Sequence, residues 1–502
     1  MNTFKKFIAN GFILTGTTLL LRWLDVIFNT YISNILGSEG MGVYSLVQSV
    51  FGFAVTFACS GINLGTTRLV SEALANNRHL EVKKSLKYCI IYSMLFSSVA
   101  SLVMFFSSDK IGSYLLGDAR TVKIIKILAL SLPFISLSSV FNGYFSAVRK
   151  VYKSASVMIL ENLSQIFITI RLFSFFGVFG LEYACISVAV GTLAAEVISM
   201  LYNLTLLIFD IKNNKISSEE VNPYLPKKLI NISLPLALSA YARSGLVTVE
   251  HLLIPFGLRK NGSSYSESMS LYGLIHGMVF PIIMFPSCIV YSFAGLLVPE
   301  LAEYNEKKES KKINKVVSVV LKYALEFSVG VAGILMCFSY ELSVAFYNSA
   351  EAYKYIQLFA PLVVVMYLDA SVDGLLKGLN EQLYSMKVNI ADALISVVLV
   401  YVLIPIMGVK GYIIAIFVCE IFNCGMSLIR LVKICEPKVT LWQYIFKPIA
   451  CIIISTSLVT YFFHLLNITN LSSTINLIIR ISCTAIIYIC LLLVKHKSTV
   501  AA

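Results

Sequence analysis

An all-α polytopic membrane protein, with about fourteen transmembrane helices arranged as two six-helix lobes plus a C-terminal pair, is the fold class that this 502-residue sequence predicts. Three observations predict it. Hydrophobic residues make up 58% of the chain and charged ones only 13%, with mean hydropathy +0.81. Apolar runs of about 20 residues, the length that crosses about 30 Å of hydrocarbon as a helix, recur from end to end. The second half of the chain also repeats features of the first. A water-soluble core cannot hide that much apolar surface without a polar coat, so lipid must serve as the solvent.

Taken in order, the first run (11–33) follows Lys5 and Lys6 but exceeds a signal-peptide core and ends in no small-residue cleavage site, so it reads as retained. The second (42–70) is reached through "ILGSEGMGVYSL", which packs Gly37, Gly40 and Gly42 together. A nucleotide-cradling glycine loop needs a strand before it and a soluble α/β unit around it. Here the glycines join two apolar runs, and Gly37 is placed to end the first helix in a left-handed conformation. Runs at 86–107, 123–147, 156–178 and 182–209 complete the first half. The stretch "DIKNNKISSEEVNPYLPKK" (210–228) is polar throughout and reads as a connector. Runs at 229–257, 270–299, 316–340, 356–379, 386–407 and 411–434 follow, and those at 444–466 and 473–494 close the chain. Pro133, Pro235, Pro281, Pro286 and Pro361 fall inside runs and are candidate bends.

The formal charge of +13 is distributed by topology and not as a nucleic-acid surface. With the N-terminus cytoplasmic, about 26 of the 40 Lys and Arg fall on that side and about 8 on the other, the bias of the positive-inside rule. Both termini are then cytoplasmic. The eleven cysteines lie in or beside apolar runs with no Cys-x-x-Cys pair, and read as small buried hydrophobes. The stretch "SDKIGSYLLGDARTV" (108–122) offers Asp109 and Asp118 but little else to bind and activate a sugar, so a membrane glycosyltransferase is the least favoured class.

A shift of 228 lays "MGVYSLVQSVFGFAVTFACSGINLGTTRLVSEALA" on "MSLYGLIHGMVFPIIMFPSCIVYSFAGLLVPELAE" without a gap, with Glu72 on Glu300. A shift of 231 puts Gly143 on Gly374, Glu161 on Asp392 and the "GVFG" at Gly177 on the "GVKG" at Gly408. Two matches at nearly one offset, in chain order, imply a duplicated six-helix unit. The expected organisation is an N-lobe (1–209), a cytoplasmic linker (210–228), a C-lobe (229–434) and appended spans with a cytoplasmic tail (435–502). An even number of spans per unit gives both lobes one orientation, the parallel-repeat arrangement of transporters that rock around a midplane site.

Arg22, Arg68, Arg171, Arg243, Lys322 and Arg480 remain within or at the edges of runs. A cation at mid-membrane costs about 2.5–3.5 kcal/mol on insertion scales, so it pairs or lines a wet cavity. Arg68 and Lys322 can snorkel to an interface. Arg22 and Arg243 open the two lobes. Asp25 lies one turn from Arg22 and Glu250 two turns from Arg243, so each acid shares a helix face with its arginine. Asp369 and Asp373 share a face four residues apart and form a candidate cation-coupling site, with Glu161, Glu196, Asp392 and Glu420 as weaker ones. His251 and His276 have no second histidine or acid at ligand spacing, and neither a metal nor a cofactor is expected.

"ILGSEGMGVYSL" with "GINLGTTRLVSEAL", and in the second half "TVEHLLIP", "LYGLIHGMVFP", "LLVPELAE", "LFAPLVVVMYLDASVDGLLKGLN" and "GVKGYIIA", resemble the stage V sporulation protein B family over nearly the whole chain. That is a polysaccharide-export branch of the superfamily that also holds the multidrug and toxin extrusion antiporters and the lipid II flippase. The resemblance implies a flippase that moves undecaprenyl-pyrophosphate-linked saccharide outward across the bacterial cytoplasmic membrane, with a role in spore cortex synthesis. Its partners would be the lipid-linked saccharide, the bilayer and, as candidate coupling ions, H+ or Na+. On that reading Arg22 and Arg243, positioned by Asp25 and Glu250, hold the pyrophosphate, because guanidinium forks suit phosphate oxygens. The last two spans are candidates for guiding the prenyl tail. A cation-coupled multidrug antiporter of the same superfamily is the alternative, favoured by Asp369 and Asp373 and opposed by the two arginines.

Overall fold

The computed structural model describes residues 2–76, 78–176, 180–212, 224–437, 442–465 and 473–493. Most of the expected linker, the turn at 177–179, the turn around Asn470 and the end of the expected tail lie outside the described residues. Among the described residues the chain is helical throughout: α1 (Asn2–Cys59), α2 (Ile62–Ala75), α3 (His79–Phe106), α4 (Ser108–Lys110), α5 (Thr121–Ala147), α6 (Val151–Phe176), α7 (Leu181–Lys212), α8 (Leu225–Lys260) and α9 (Tyr265–Tyr272). A π-helical turn (Gly273–Val279) leads into α10 (Phe280–Met284). There follow α11 (Ser287–Glu306), α12 (Ser310–Cys337), α13 (Ser339–Tyr347), α14 (Tyr353–Phe359), α15 (Leu362–Gly378), α16 (Gln382–Met407), α17 (Val409–Ile434), α18 (Lys447–Leu465) and α19 (Ser473–Leu493).

Twelve helices among the described residues are long and apolar enough to span a membrane, and the bent pair α14–α15 makes a thirteenth. One of the twelve, Gly16–Ala75, is 60 residues long. At 1.5 Å per residue that length crosses the hydrocarbon twice, and it breaks at Gly37. Counted as two spans, it brings the total to the fourteen that the run lengths predict. Gly37 has φ 65° and ψ −176°, a region that only glycine occupies at low cost, so the residue interrupts the hydrogen-bond ladder where the sequence leaves its first apolar run. The prolines divide by position. Pro361 sits at the 54° bend between α14 and α15, and Pro286 begins α11 after a break, whereas Pro133 and Pro235 lie inside continuous helices.

The chain forms two compact units: Met1–Gly273 with Val400–Gly408, and Leu274–Leu399 with Val409–Ala502. In the first, α5 packs against α1, α2, α3 and α7. Its core brings together Leu69 and Val70, Leu86 and Cys89, Phe141 and Tyr144, and Leu229 of α8. Helix α8 lies along α1 and α2, where Gly61 and Gly65 leave room for Ser233. In the second unit α11, α12, α15 and α17 share a core of Leu301, Val317, Leu321, Leu375 and Leu431. Gly374 lies against Ala294, and α18 and α19 pair with each other and lean on α12 at Gly333 and Gly330.

Candidate functional site

Helix α1 carries two exposed stripes. Thr18, Arg22 and Asp25 recur at helical spacing on one side, with the half-buried Asn29 one turn further on, while Leu20, Trp23 and Ile27 recur on the opposite side. The apolar stripe suits lipid. The polar one needs water or a polar ligand, because a guanidinium facing acyl chains would bear its full desolvation cost. Among the described residues Arg22 makes no ion pair with Asp25. The Asp25 carboxylate instead accepts a 2.7 Å hydrogen bond from the Asn162 side-chain amide of α6, which leaves the Arg22 guanidinium exposed.

Helix α8 repeats the pattern less cleanly. Ser239, Arg243 and Glu250 fall on one side, and the exposed Leu238, Val249 and Phe256 on an adjacent one. Arg243 is exposed and has no ion-pair partner among the described residues. Glu250 precedes His251, whose Nδ1 lies 2.6 Å from the Tyr272 hydroxyl of α9. Arg243 lies two residues beyond Tyr241, whose ring stacks on Phe57 at 5.1 Å between centroids and whose hydroxyl meets Ser60. Both arginines therefore belong to the first unit, on helices that pack together further along through Thr248 and the Ser49 carbonyl, 3.1 Å apart.

The acidic candidates separate into two groups. In the first unit Glu161 accepts a 2.7 Å hydrogen bond from Ser199, and Glu196 lies close to it. In the second unit Asp369 lies close to Cys424 and Asp373 is one turn beyond; the Asp373 Oδ1 is buried with no hydrogen-bond partner among the described residues. No group of three or more His, Cys, Asp or Glu among the described residues could hold a metal ion. The other intramembrane arginines have local company. Arg171 sits 5.4 Å from the Phe167 ring, and Arg480 pairs with Glu341 at 3.1 Å.

Sequence reasoning missed an ion cluster at the end of the first unit that carries the Gly37 break. Arg120 reaches Asp118 at 2.6 Å and Glu39 at 3.2 Å. Asp118 also accepts from the Tyr265 hydroxyl at 3.1 Å, and Glu39 from the Ser266 hydroxyl at 2.6 Å. The Ser264 capping box, closed by Glu267, fixes the start of α9 so that Tyr265 and Ser266 point into this cluster. Burial raises the Asp118 carboxyl, but Arg120, through its side chain and backbone amide, more than offsets this and holds it below the usual carboxylate range. The Ser266 hydrogen bond lowers Glu39 most, with Arg120 adding to it. Beside the cluster, Gly42 and Gly273 allow backbone to meet backbone: a Cβ on Gly42 would overlap the Met269 carbonyl, and one on Gly273 the Ser38 carbonyl. Away from this cluster, near the C-terminal end of α2, Glu72 takes both Arg68, at 3.2 Å, and Lys228. A cavity of about 380 Å³ there is lined by Arg68, Tyr224, Lys227, Lys228 and Asn231.

This architecture and sequence have known counterparts. Residues 7–288 match the polysaccharide biosynthesis protein family. The chain is 24% identical over 500 residues to stage V sporulation protein B of Bacillus subtilis (strain 168), covering 98% of this chain and 95% of that one. It is 20% identical over 447 residues to the lipid II flippase MurJ of the same organism, covering 82% and 80%. Among solved structures, the lipid II flippase MurJ in an inward closed conformation superposes with TM-score 0.67 at 15% identity, covering 96% of this chain and 98% of that one. An inward-facing multidrug resistance MATE family transporter superposes with TM-score 0.66 at 14% identity, covering 84% and 96%. The protein is thus a multi-pass membrane protein with the helical fold of MurJ and MATE transporters, and by the match over more than half its length it belongs to the polysaccharide biosynthesis protein family.

Proposed function

We propose that the protein is a flippase that moves a lipid-linked saccharide, its sugar joined through a pyrophosphate to a polyprenyl chain, across the bacterial cytoplasmic membrane. The observation that carries this reading is the pair of exposed guanidinium groups on spanning helices, Arg22 and Arg243, neither with an ion-pair partner among the described residues. Two fixed cations in a membrane protein suit a ligand with two or more negative charges, and a guanidinium offers phosphate a planar fork of donors at any working pH. Asn162 holds Asp25 away from Arg22, so the acid orients the local polar stripe without neutralising the cation. Glu250, half-buried two turns along α8, would do the same for Arg243.

The mechanism is alternating access. The sugar-pyrophosphate head enters from the cytoplasm and binds the two arginines while the tail stays in lipid; rearrangement of the lobes then exposes it outside. No bond changes. The kinship with a stage V sporulation protein supports a peptidoglycan-type cargo used in spore cortex synthesis. The positive-inside distribution supports cytoplasmic termini. Asp369 and Asp373 would couple transport to H+ or Na+, with the unsatisfied Asp373 oxygen as the available ligand atom. A cation-coupled multidrug antiporter is the second reading, supported by those two acids and the fold shared with a MATE transporter. Complementation and transport with Arg243→Lys and Arg243→Ala separate the two: a flippase loses activity with Ala and retains part with Lys, whereas near-normal activity in both variants removes Arg243 from the site. Drug-resistance profiling of the same strains reads the antiporter directly.

A further inference from the structure

Beside the contact of Gly61 and Gly65 with Ser233, a cleft runs between α2 and α8. Its outer part, about 380 Å³, is lined by Arg68, Lys227, Lys228 and Asn231. An adjoining part of about 530 Å³ shares Arg68 and Asn231 and continues past the hydroxyl side chains Thr67 and Ser71 to Leu236. Glu72 holds two of the cations, Arg68 at 3.2 Å and Lys228, while the exposed Lys227 makes no ion pair among the described residues. Three cations against one carboxylate leave a local charge of +2. Helix α8 starts at Leu225, so the positive end of its dipole adds to the same mouth. The α8 wall also leads inward. Ile232 and Leu236 line the cleft, and Ser239 and Arg243 follow at helical spacing on the same face. The stripe that begins in the basic mouth therefore reaches Arg243, about 22 Å beyond Lys228 at 1.5 Å per residue.

We propose that this cleft is a capture site for a diphosphate group, separate from Arg22 and Arg243, in which Arg68, Lys227 and Lys228 take the diphosphate of the cargo before it passes along α8 to Arg243. The inference rests on the flippase reading above and adds an earlier station to it. The charge count selects the occupant: a diphosphate esterified at both ends carries two negative charges and matches +2, whereas a phosphodiester headgroup leaves one cation unmatched. Arg68 supplies a planar fork of donors and the lysines supply point charges, the usual pair of phosphate ligands. The cleft opens at the end of α2 and α8 that the charge distribution assigns to the cytoplasm, where the cargo would arrive. Glu72 competes with the diphosphate for Arg68 and Lys228, which keeps capture weak enough to allow onward transfer.

The test titrates the full-length protein in detergent with inorganic pyrophosphate at low salt, read by calorimetry, in a background of Arg22→Ala with Arg243→Ala that removes the deeper site. Pyrophosphate should still bind there. Adding Arg68→Gln with Lys227→Gln should weaken binding by about tenfold or more. Adding Glu72→Gln instead should tighten it by about threefold or more, a gain that misfolding cannot produce. Absence of binding in the background variant, binding unchanged by the Arg68 and Lys227 substitutions, or weaker binding with Glu72→Gln overturns the proposal. So does displacement of pyrophosphate by phosphatidylglycerol, which would give the cleft to a lipid headgroup. None of these readouts depends on transport. The capture site can therefore fail while reconstituted flipping still depends on Arg22 and Arg243, and flipping can fail while the cleft binds pyrophosphate.

Discussion

At the Glu39 end of the first unit, two carboxylates share one guanidinium, a tyrosine and a serine hydroxyl close the ring, and two glycines bring backbone onto backbone. At the Glu72 end a single half-exposed carboxylate takes Arg68 and Lys228 beside an open cavity. Both ends join first-half helices to the α8–α9 segment, yet they close with different strength. Where side chains are largely exposed, ion pairs are screened and worth little. Where Asp118 is 6% exposed and accepts three kinds of donor, removing one partner strands the others. Within the first unit, the contacts between first-half helices and the α8–α9 segment are therefore firm at the Glu39 end and looser at the Glu72 end.

The largest effect should come from the glycines. Gly42→Val or Gly273→Val forces two backbones apart and should cost more than about 3 kcal/mol in thermal unfolding. Gly52→Ala, where an added Cβ meets nothing within 4 Å, should instead stabilise by about 0.5–1 kcal/mol. Next comes Asp118→Asn, which removes the charge that Arg120 and Tyr265 satisfy and should cost about 1.5–3 kcal/mol, with faster hydrogen exchange in α9 as the local readout. Acid sharpens the comparison further. Asp118 and Glu39 have folded pKa values below their unfolded ones, so the stability they contribute is present above the ordinary carboxylate range and is lost only as pH falls through the depressed values. The Glu39 end should accordingly stay closed at about pH 5 by the same exchange measurement. The smallest change is expected from Glu72→Gln: at most about 1 kcal/mol, shrinking further in high salt.

Much of the fold is legible in sequence because membrane thickness sets helix length. Among the described residues, the helices long and apolar enough to span a membrane come to fourteen, the number of apolar runs, once the helix broken at Gly37 is counted twice and the bent pair at Pro361 once. The site is legible only in part. Intramembrane arginines announce themselves by cost, so Arg22 and Arg243 stand out, but a local acid at helical spacing is no guarantee of a pair. Asp25 turns to Asn162, 137 residues away. The Glu39 cluster was invisible for the same reason: its partners lie 81, 147 and 227 residues apart along the chain, at helix ends and turns where charge is ordinary. The available signal was the Ser264–Glu267 capping box together with Asp118-x-Arg120 in an otherwise sparse loop.

Reconstitution decides the central claim most directly. With the protein in liposomes and a labelled prenyl-pyrophosphate saccharide in one leaflet, exposure of the label on the far leaflet should rise over protein-free vesicles and fall to background with Arg22→Ala and Arg243→Ala together. Label movement unaffected by loss of both guanidinium groups would contradict the account.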